Sequence, residues 1–396
     1  MSDHAAAMGA DDGLPRCPLM PTYGAPSVLF VRGQGTELWD RDGRRYLDFI
    51  SGLGVTGLGH AHPAVAEAIA TQAATLLHVS NLYGTEPGAR VARALDRLIG
   101  GGGQVFFANS GAEANEAAIK LARLHGGHGR HEIVTTYGSF HGRTLATLAA
   151  TGQPEKHEPF QPLPEGFRHV AWRDLGALEA ALGPSVAAVL VEPVQGEGGV
   201  HPADRDYLTG IRQLCDERGV LLMVDEVQTG LGRTGRWFGF QHFDVVPDVV
   251  TTAKALGNGV PIGACWAKAE VAASFSPGLH ATTFGGQPLA TAAAAAVLEV
   301  MEAEDVPARA ERAGARLRDA LSTLPAVVEV RGLGLLLAAE LEGLDARAVA
   351  ADALDAGLLV NGVTPTAVRL APQLLVTDDE IDEAVAILAR VMGDLP

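Results

Sequence analysis

The chain has 396 residues, of which 47% are apolar and 19% are charged, and it contains 48 glycines. This composition is typical of a globular α/β protein with a large core and more than one domain, and it excludes a disordered chain. Lys and Arg number 30 against 47 Asp and Glu, and the resulting formal charge of −17 argues against nucleic acid or an anionic membrane as a partner.

The cysteines and the N-terminal residues favour the cytoplasm. Cys17, Cys215 and Cys265 are scattered and lack CxxC spacing, so neither a disulfide framework nor a zinc site is indicated. The first residues, MSDHAAAMGADDGLP, carry aspartates and no apolar core, unlike a secretory signal. No uninterrupted apolar run reaches the length of a membrane span. Together these features predict a cytoplasmic protein.

The chain begins with a loose segment and continues into short strands. Residues up to about Met20 are small, acidic and interrupted by prolines. The stretch SVLFVRGQGTELWDRDGRRYLDFISG predicts a hairpin with its turn at Asp42-Gly43. Helices are predicted from Pro63, which suits a first helical position, and over TEPGARVARALDRLIG. We expect residues 1–60 to form an N-terminal segment of a small domain.

From Gln104 onward, short β-rich runs alternate with glycine-containing turns and helical stretches. The runs QVFFANSG, HEIVTTYGSF, VAAVLVEP, VLLMVDE and VVTTAK are apolar without strict alternation, which is typical of a parallel sheet covered on both faces. We assign residues 61–289 to this large domain. After about Thr283, alanine-rich helices and short strands predict an α+β domain over residues 290–396.

Lysine is rare in the chain, and one lysine stands apart. Lys120, Lys156 and Lys268 lie where solvated ammonium groups are expected. Lys254, in VVTTAKALGNGVPIGA, has small residues on both sides and no acidic neighbour closer than Asp248. The ordinary interpretation is a lysine that snorkels from the end of a buried strand. The alternative is a desolvated amine that forms a Schiff base with a carbonyl compound.

The hypothesis that Lys254 forms a Schiff base is supported by the position of Asp225. Asp225 follows the apolar run 221–224 at the carboxyl end of a predicted strand, where open α/β sheets bind ligands. A carboxylate in that place needs a cationic partner, and a protonated pyridine nitrogen would serve. Lys254 ends the next predicted strand. A structural salt bridge is the alternative for Asp225, and Glu226 is expected to be less easily buried and to face a polar network.

Two strand-to-helix turns suit ligand binding. In ANSGAEANEAAIKLAR, Ser110 and Glu113 form a capping-box pattern, and the free N–H groups of such a helix start favour an anion such as phosphate. A well-capped structural helix is the alternative. In YGSFHGRT, Phe140 suits stacking on a flat ring and Arg143 suits a carboxylate. A core phenylalanine and a solvated arginine are the alternatives there.

Three later stretches carry polar groups that no local rule assigns. The glycine-rich loop EPVQGEGGV follows a predicted strand and contains Gln195 and Glu197. Thr282 and Thr283 precede a helix in HATTFGGQPLA and form a second candidate anion site. Arg369 lies among apolar residues in VRLAPQL, where an arginine usually pairs with another group.

Nine motifs in order resemble the class III (subgroup II) pyridoxal-phosphate-dependent aminotransferases, and among them most of all the acetylornithine-using enzymes. The motifs are GLGHAHP, SNLYGTEP, NSGAEANE, FHGRT, EPVQGEGG, DEVQTGLGRTG, TTAKALGNGVPIGA, TTFGGQPLA and RLAPQL. The similarity extends from about Met20 nearly to the C-terminus. It implies a fold-type I α/β transferase, with a large domain on a mostly parallel seven-stranded sheet covered by helices and a smaller α+β domain from both chain ends.

The resemblance implies that pyridoxal 5′-phosphate (PLP) is the cofactor. Lys254 is expected to bind PLP as a Schiff base and, once released, to move the proton in catalysis. Asp225 is expected to keep the ring nitrogen protonated, so that the ring accepts electrons. Gln228 is expected at the phenolate oxygen, and Phe140 is expected to stack on the ring.

The resemblance also implies a phosphate site shared between two subunits. Ser110, Gly111 and Ala112 are expected to surround the phosphate from one subunit. Thr283 of the partner subunit is expected to complete this site. A homodimer would therefore be necessary for activity.

The implied reaction moves the δ-amino group of N2-acetyl-L-ornithine to 2-oxoglutarate, giving N-acetyl-L-glutamate 5-semialdehyde and L-glutamate, a step of arginine biosynthesis. Arg143 and Thr282 are expected to contact acetylornithine. Arg369 is expected to bind the α-carboxylate of glutamate and to pair with Glu197 when the ω-amine of the other substrate enters. One site that serves both substrates implies ping-pong kinetics.

Four positions depart from the family pattern. Ala112 stands where many members have threonine, and Thr56 replaces an asparagine that is common in acetylornithine enzymes. Gly84 stands where a bulkier residue, often tyrosine, is common, and Gln287 stands where asparagine is usual. These departures bear on the substrate more than on the lysine and aspartate of the catalytic pair.

The open alternatives concern the substrate first and the class of protein second. Ornithine, succinyldiaminopimelate, 4-aminobutyrate or a specialised metabolite are other candidate donors, while the pattern of Arg369 and Glu197 disfavours an aminomutase. A catalytically silent PLP-fold binding protein is opposed by the intact Lys254 and Asp225. A nucleotide enzyme is opposed by the lack of phosphate-loop and dinucleotide fingerprints.

Overall fold

A seven-stranded sheet forms the centre of the computed structural model, which describes residues 19–24 and 26–394. Its strands lie in the order β4 (Gly103–Ala108), β12 (Gly263–Lys268), β11 (Val249–Thr252), β10 (Leu221–Asp225), β7 (Val186–Val191), β5 (Glu132–Thr136) and β6 (Phe167–Val170). Strand β12 runs in the direction opposite to that of the other six strands. The predicted mostly parallel seven-stranded sheet is confirmed.

Helices cover both faces of this sheet, which explains the uniformly apolar strands. Every residue of β7 and of β10 is buried, as expected for central strands of a covered parallel sheet. The helices are α1 (Ser51–Gly54), α2 (Pro63–Thr75), α3 (Glu86–Ile99), α4 (Gly111–Gly126), α5 (Leu145–Ala150), α6 (Pro154–His157), α7 (Leu175–Ala181), α8 (Arg205–Arg218), α9 (Ala269–Ala272), α10 (Pro288–Ala303), α11 (Val306–Leu321), α12 (Ala346–Asp355) and α13 (Asp378–Asp394).

The helix starts follow the local sequence signals, with one exception. Helix α2 begins at Pro63 as predicted, because proline at the first position needs no N–H partner. At α4, the Ser110 Oγ accepts from the Glu113 N–H at 3.2 Å. The Glu113 carboxylate, however, accepts from the Asn109 N–H at 2.9 Å and not from that of Ser110. The capping box is therefore confirmed in its serine half only.

Smaller sheets lie beside the central one. The first consists of β1 (Phe30–Gln34), β2 (Glu37–Asp40), β3 (Arg45–Asp48) and β15 (Leu358–Leu359), and it joins the two ends of the chain. The predicted turn at Asp42-Gly43 connects β2 to β3. The other sheets are β13 (Val327–Leu333), β14 (Leu336–Leu341), β17 (Ala367–Leu370) and β16 (Asn361–Gly362), and the pair β8 (Val194–Gln195) and β9 (His201–Pro202). The predicted domain boundaries at residues 60 and 289 stay predictions.

Cysteine, metal and membrane features can be stated for residues 19–24 and 26–394. Cys215 and Cys265 are buried free thiols. Cys17 and most of the segment that we expected to be loose lie outside these residues. Within them, no group of three or more metal-ligating side chains comes together. None of their helices combines the length and apolarity that a bilayer crossing requires.

A buried carboxylate ties four elements together at the amino-terminal edge of the sheet. Asp248, just before β11, accepts hydrogen bonds from Arg212 of α8 at 2.8 Å, from Lys268 of β12 at 2.7 Å and from the Leu222 N–H of β10 at 2.8 Å. Lys268 is thus an ion-pair partner and not the solvated lysine that we expected. Burial alone would raise the pKa of Asp248, but these hydrogen bonds outweigh it and lower the pKa below its ordinary value.

We expect Asp248→Asn to destabilise the fold at neutral pH by about 2–4 kcal/mol, because Arg212 and Lys268 lose their charged partner. A depressed carboxyl pKa stabilises the fold above the unfolded pKa, and this contribution is lost as pH falls through the folded pKa. The difference in melting temperature between the wild type and the variant should therefore narrow below about pH 4.

The matched control is Asp216→Asn, which removes the exposed partner of the same Arg212. An exposed pair contributes at most about 1 kcal/mol, so this variant should melt close to the wild type. Equal melting temperatures for the two variants would contradict the role given to Asp248.

Candidate active site

A cavity of about 390 Å³ opens at the carboxyl ends of β10 and β11, where parallel sheets bind ligands. Nine of the twelve side chains that the sequence singles out line this one cavity. They are Ser110, Gly111, Ala112, Phe140, Arg143, Glu197, Asp225, Gln228 and Lys254. Of the other three, Arg369 does not line the cavity but donates a hydrogen bond to Glu197, which does. Thr282 and Thr283 are not among the lining residues.

Lys254 is held in a strained conformation at the floor of the cavity. It follows β11 directly, begins a short 3-10 turn and has a φ of 45°, a left-handed value that is unfavourable for a residue with a side chain. Burial is the main reason that the pKa of its amine is lowered to about 8. A much larger fraction of this amine is therefore neutral at physiological pH than of an ordinary lysine.

Asp225 is 3% exposed and is enclosed by donors from three elements. Its Oδ2 accepts from Nδ2 of Asn115 on α4 at 2.7 Å and lies 2.9 Å from Nδ1 of His141. Its Oδ1 accepts from the Val227 N–H at 3.0 Å. Because every donor holds the carboxylate in place, Asp225 presents a fixed negative charge to the cavity.

His141 and Asn115 are partners of Asp225 that the sequence did not predict. His141 is fully buried, and its Nε2 has no hydrogen-bond partner among the described residues. Asn115 also accepts from the Thr251 hydroxyl of β11 at 2.7 Å, so it connects α4 to the sheet. A buried asparagine on an otherwise alanine-lined helix face was the available signal, but nothing local links it to Asp225.

Two further buried acids flank Asp225. Burial and then the charge of Asp225 raise the pKa of Glu192 well above its ordinary value. Burial also raises the pKa of Glu226 to about 7. Glu226, expected to be less easily buried, is fully buried, and its carboxylate accepts from the N–H groups of Gly239 and Phe240, both at 2.8 Å. The expectation about burial was wrong, whereas the expected polar network is present, because the turn at residues 239–240 and the Thr229 hydroxyl provide the polar partners.

The start of α4 provides an anion site on the cavity wall. The N–H groups of Gly111 and Ala112 have no partner within the described part of the chain, and both residues line the cavity. A Cβ at position 111 would lie 2.7 Å from the Val227 side chain, so this position requires glycine. Free N–H groups and the positive end of the helix dipole together favour a phosphate.

Phe140 and Arg143 line another part of the cavity, and Lys156 lies near the Phe140 ring. The Phe140 N–H donates to Glu192 at 3.1 Å, which fixes the turn that carries the aromatic ring. The guanidinium carbon of Arg143 lies 5.6 Å from the ring centroid, and Nζ of Lys156 lies 5.9 Å from it. Lys156 was expected to be solvated, yet it lies close to the cavity.

An ion pair closes one side of the cavity. Arg369 donates to Glu197 at 2.6 Å and to Asn361 at 3.0 Å, and the arginine is 3% exposed. Gln228 contacts both members of the pair at 3.5 Å. Burial would raise the pKa of Glu197, but the charge and the hydrogen bond of Arg369, with smaller contributions from Lys254 and Gln228, together outweigh burial and lower the pKa below its ordinary value.

The two threonines lie outside the cavity of their own chain. The Thr282 Oγ1 accepts from the Gly285 N–H at 3.1 Å, and Thr283 is exposed. Gly84 is also exposed and has open space where a Cβ would lie. Gln287 caps α10 by accepting from the Leu289 N–H at 2.8 Å.

The remaining departures lie at or next to the cavity. Ala112 lines it and brings a backbone N–H but no hydroxyl. The Thr56 hydroxyl is buried and has no partner among the described residues. Its neighbour Val55 lines the cavity.

Comparisons with known proteins agree with this geometry. The family model described as Aminotransferase class-III matches residues 20–392. The acetylornithine aminotransferase of Gloeobacter violaceus is 50% identical over 96% of this chain and 96% of its own length. That of Mycolicibacterium smegmatis is 49% identical over 94% of this chain and 96% of its own.

Solved structures give the same family. The N-acetylornithine aminotransferase of Stenotrophomonas maltophilia is 37% identical with a TM-score of 0.82, over 94% of this chain and 97% of its own. The ornithine aminotransferase of Toxoplasma gondii is 35% identical with a TM-score of 0.90, over 94% of this chain and 92% of its own. Another structure of the same enzyme is described with partial occupancy of PLP at the active site. The chain therefore belongs to the class III aminotransferases, which depend on PLP.

Proposed function

We propose that this enzyme transfers the δ-amino group of N2-acetyl-L-ornithine to 2-oxoglutarate, as in arginine biosynthesis. The central observation is that Lys254, Asp225 and the start of α4 line one cavity whose side is closed by the Glu197–Arg369 pair. Relatives named acetylornithine aminotransferase, 47–50% identical over nearly the whole chain, support this substrate.

The residues of the cavity fit PLP. The free N–H groups of Gly111 and Ala112 suit its phosphate, and the carboxylate of Asp225 suits a protonated ring nitrogen. Phe140 provides a flat apolar surface for the ring, and Gln228 an amide for the phenolate oxygen. When bound, PLP supplies an electron sink that stabilises negative charge at the substrate carbon.

Lys254 is the group that we assign to proton transfer. Its lowered pKa makes the amine a base near neutral pH, which is the range in which a general base works best. Asp225 maintains a negative charge that favours protonation of a base facing it, because Asn115 and the Val227 N–H keep the carboxylate oriented. Asp225 ends β10, and Lys254 follows the adjacent strand β11.

The Glu197–Arg369 pair accounts for the use of two substrates in one site. An ω-amine donor carries no carboxylate near its reacting carbon, so the paired Arg369 presents no free charge to it. Glutamate carries an α-carboxylate there and competes with Glu197 for the guanidinium. Arg143, which also lines the cavity, suits a distal carboxylate of either substrate.

A homodimer is part of this proposal. Thr283 and its neighbour Phe284 are exposed, and Asn81, which precedes the exposed Leu82, donates to the carbonyls of Thr282 and Gly285 at 3.1 and 2.9 Å. Exposed apolar side chains next to an exposed polar loop are typical of a protein interface. We also assign the enzyme to the cytoplasm, where its buried free thiols would persist.

The substrate proposal is tested by comparing amine donors with 2-oxoglutarate as the acceptor. We expect kcat/KM for N2-acetylornithine to exceed that for ornithine, succinyldiaminopimelate and 4-aminobutyrate by at least about tenfold. Ornithine is the second candidate, because the Toxoplasma ornithine aminotransferase has a closely similar fold. A preference for unacetylated ornithine would overturn the proposal but leave the family unchanged.

The state of Lys254 is tested by the pH dependence of cofactor capture. Only the neutral amine attacks an aldehyde, so the rate at which apoenzyme binds PLP covalently should rise tenfold per pH unit below about pH 8 and then level off. Borohydride trapping followed by mass spectrometry of the Lys254 peptide measures this rate. Lys254→Ala is the control without trapping, and a rate that keeps rising beyond pH 10 would contradict the lowered pKa.

The neighbouring acids 225 and 226 should differ in their effect on catalysis. Asp225→Asn should lower kcat/KM on the order of 10²–10³-fold and also lower the melting temperature, because both the negative charge and an acceptor for buried donors are lost. Glu226→Gln should lower the melting temperature and change kcat/KM less than about tenfold, because the amide cannot accept both buried N–H bonds equally well. Equal activity losses in the two variants would reverse these assignments.

A further inference from the structure

The loop that carries Glu197 is held by two arginines, one of which has no role in the mechanism above. The loop spans residues 196–200 between β8 and β9. Arg369 holds the Glu197 carboxylate at 2.6 Å. At the other end of the loop, the Nε–H of Arg331 donates to the Gly199 carbonyl at 2.8 Å.

The two arginines occupy equivalent places in one sheet. Arg331 of β13 lies opposite Ala338 of β14, and Ala338 lies opposite Arg369 of β17. Directly opposed residues share a face, so both guanidinium groups project from the same side of the sheet. Val194, just before the loop, and Val200, its last residue, belong to one buried apolar cluster with Ala338. The loop therefore lies over the sheet with an arginine under each end.

Arg331 is itself fixed by two acids. Its guanidinium donates to Glu340 of β14 at 2.7 Å and to Glu329 of β13 at 3.3 Å, and its side chain is 10% exposed. The planar guanidinium thus bonds two carboxylates and one backbone carbonyl with separate N–H groups. This arrangement ties the loop backbone to the sheet that positions Arg369.

The loop glycines leave its backbone little room to move. A Cβ at Gly196 would lie 1.6 Å from Oε1 of Gln228, and one at Gly198 would lie 2.5 Å from the carbonyl of Gly138. The loop backbone is therefore packed closely against Gln228 and Gly138 and is bonded to Arg331. The Glu197 side chain is then the part of the loop that can rotate.

We propose that Arg331 is a positioning residue that anchors this loop, so that the Glu197–Arg369 pair opens and closes by rotation of the Glu197 side chain over a fixed backbone. This inference rests on the proposed function only in requiring that one site accepts both glutamate and an ω-amine donor. Arg331 thereby contributes to selection between the two substrates without contacting either one. Loss of the Arg331 hydrogen bond to the loop would weaken the Glu197–Arg369 ion pair. The ω-amine donor, which requires Arg369 to be paired, would then react less efficiently.

The test uses Arg331→Gln in the PLP-loaded enzyme, with the two half-reactions followed separately by stopped-flow absorbance. The Arg331 guanidinium borders a cavity of about 330 Å³, so a shorter side chain fits without a clash. We expect kcat/KM for the ω-amine half-reaction to fall about tenfold, mainly through KM, as for loss of one charge-assisted hydrogen bond. The glutamate half-reaction should change less than about twofold, and Arg331→Lys should retain part of the selectivity.

A double-mutant cycle distinguishes an effect of Arg331 through the Glu197 loop from an unspecific loss of activity. In a Glu197→Gln background the selectivity is already lost, so adding Arg331→Gln should leave the ratio of the two half-reactions unchanged. An equal fall of this ratio in both backgrounds would mean that Arg331 does not act through Glu197 and would overturn the proposal. So would an unchanged ratio in the single Arg331→Gln variant.

The matched control is Arg318→Gln. Arg318 borders the same second cavity but donates to the carbonyls of Val330 and Gly332 on β13 and not to the loop. It should affect melting temperature without changing the ratio of half-reactions. The ω-amine used is whichever one the wild-type enzyme accepts, so failure of acetylornithine as substrate refutes the proposed function without deciding the role of Arg331.

Discussion

The burial of the Asp225 carboxylate is the constraint on which the geometry of the site depends. A buried charge without partners would cost several kcal/mol, so the chain surrounds it with Asn115 from α4, His141 from the turn after β5 and the Val227 N–H. Asn115 is in turn held by Thr251 of β11, the strand that leads to Lys254. One carboxylate therefore sets the relative positions of the anion site, the aromatic wall and the reactive amine.

The central pair was predictable because its position follows from a general rule. Parallel strands end at the same edge of a sheet, so polar residues at the ends of two adjacent apolar runs come together. The sequence marks Asp225 and Lys254 as such residues. Their hydrogen-bonding partners were not predictable in this way, because Asn115 and His141 are 110 and 84 residues from Asp225 and belong to other elements. Chain separation hides these contacts from any local pattern.

Residues beside the site also make contacts that a local sequence pattern does not predict. Glu226 follows Asp225 and its side chain turns away from the cavity toward a backbone turn at residues 239–240, whose N–H groups satisfy it. The sequence alone could not show that this turn folds back over the end of β10. Likewise, the Arg369–Glu197 pairing was expected from resemblance, whereas the place of Arg331 under the same loop follows only from the register of β13, β14 and β17. Local periodicity predicts elements, and register decides which side chains meet.

The departures from the family pattern can be ordered by how they contact the site. The anion site at the start of α4 is built from backbone N–H groups, so Ala112 removes a hydroxyl but none of these donors. Gly84 is exposed on the loop that contacts the Thr282–Gly285 turn, and Thr56 adjoins the cavity-lining Val55. The reactive pair is thus carried by buried strand ends, while the altered residues lie on a helix start and on loops. Since loops tolerate substitution better than strands that are buried on both faces, substrate choice can change in this fold while the chemistry stays the same.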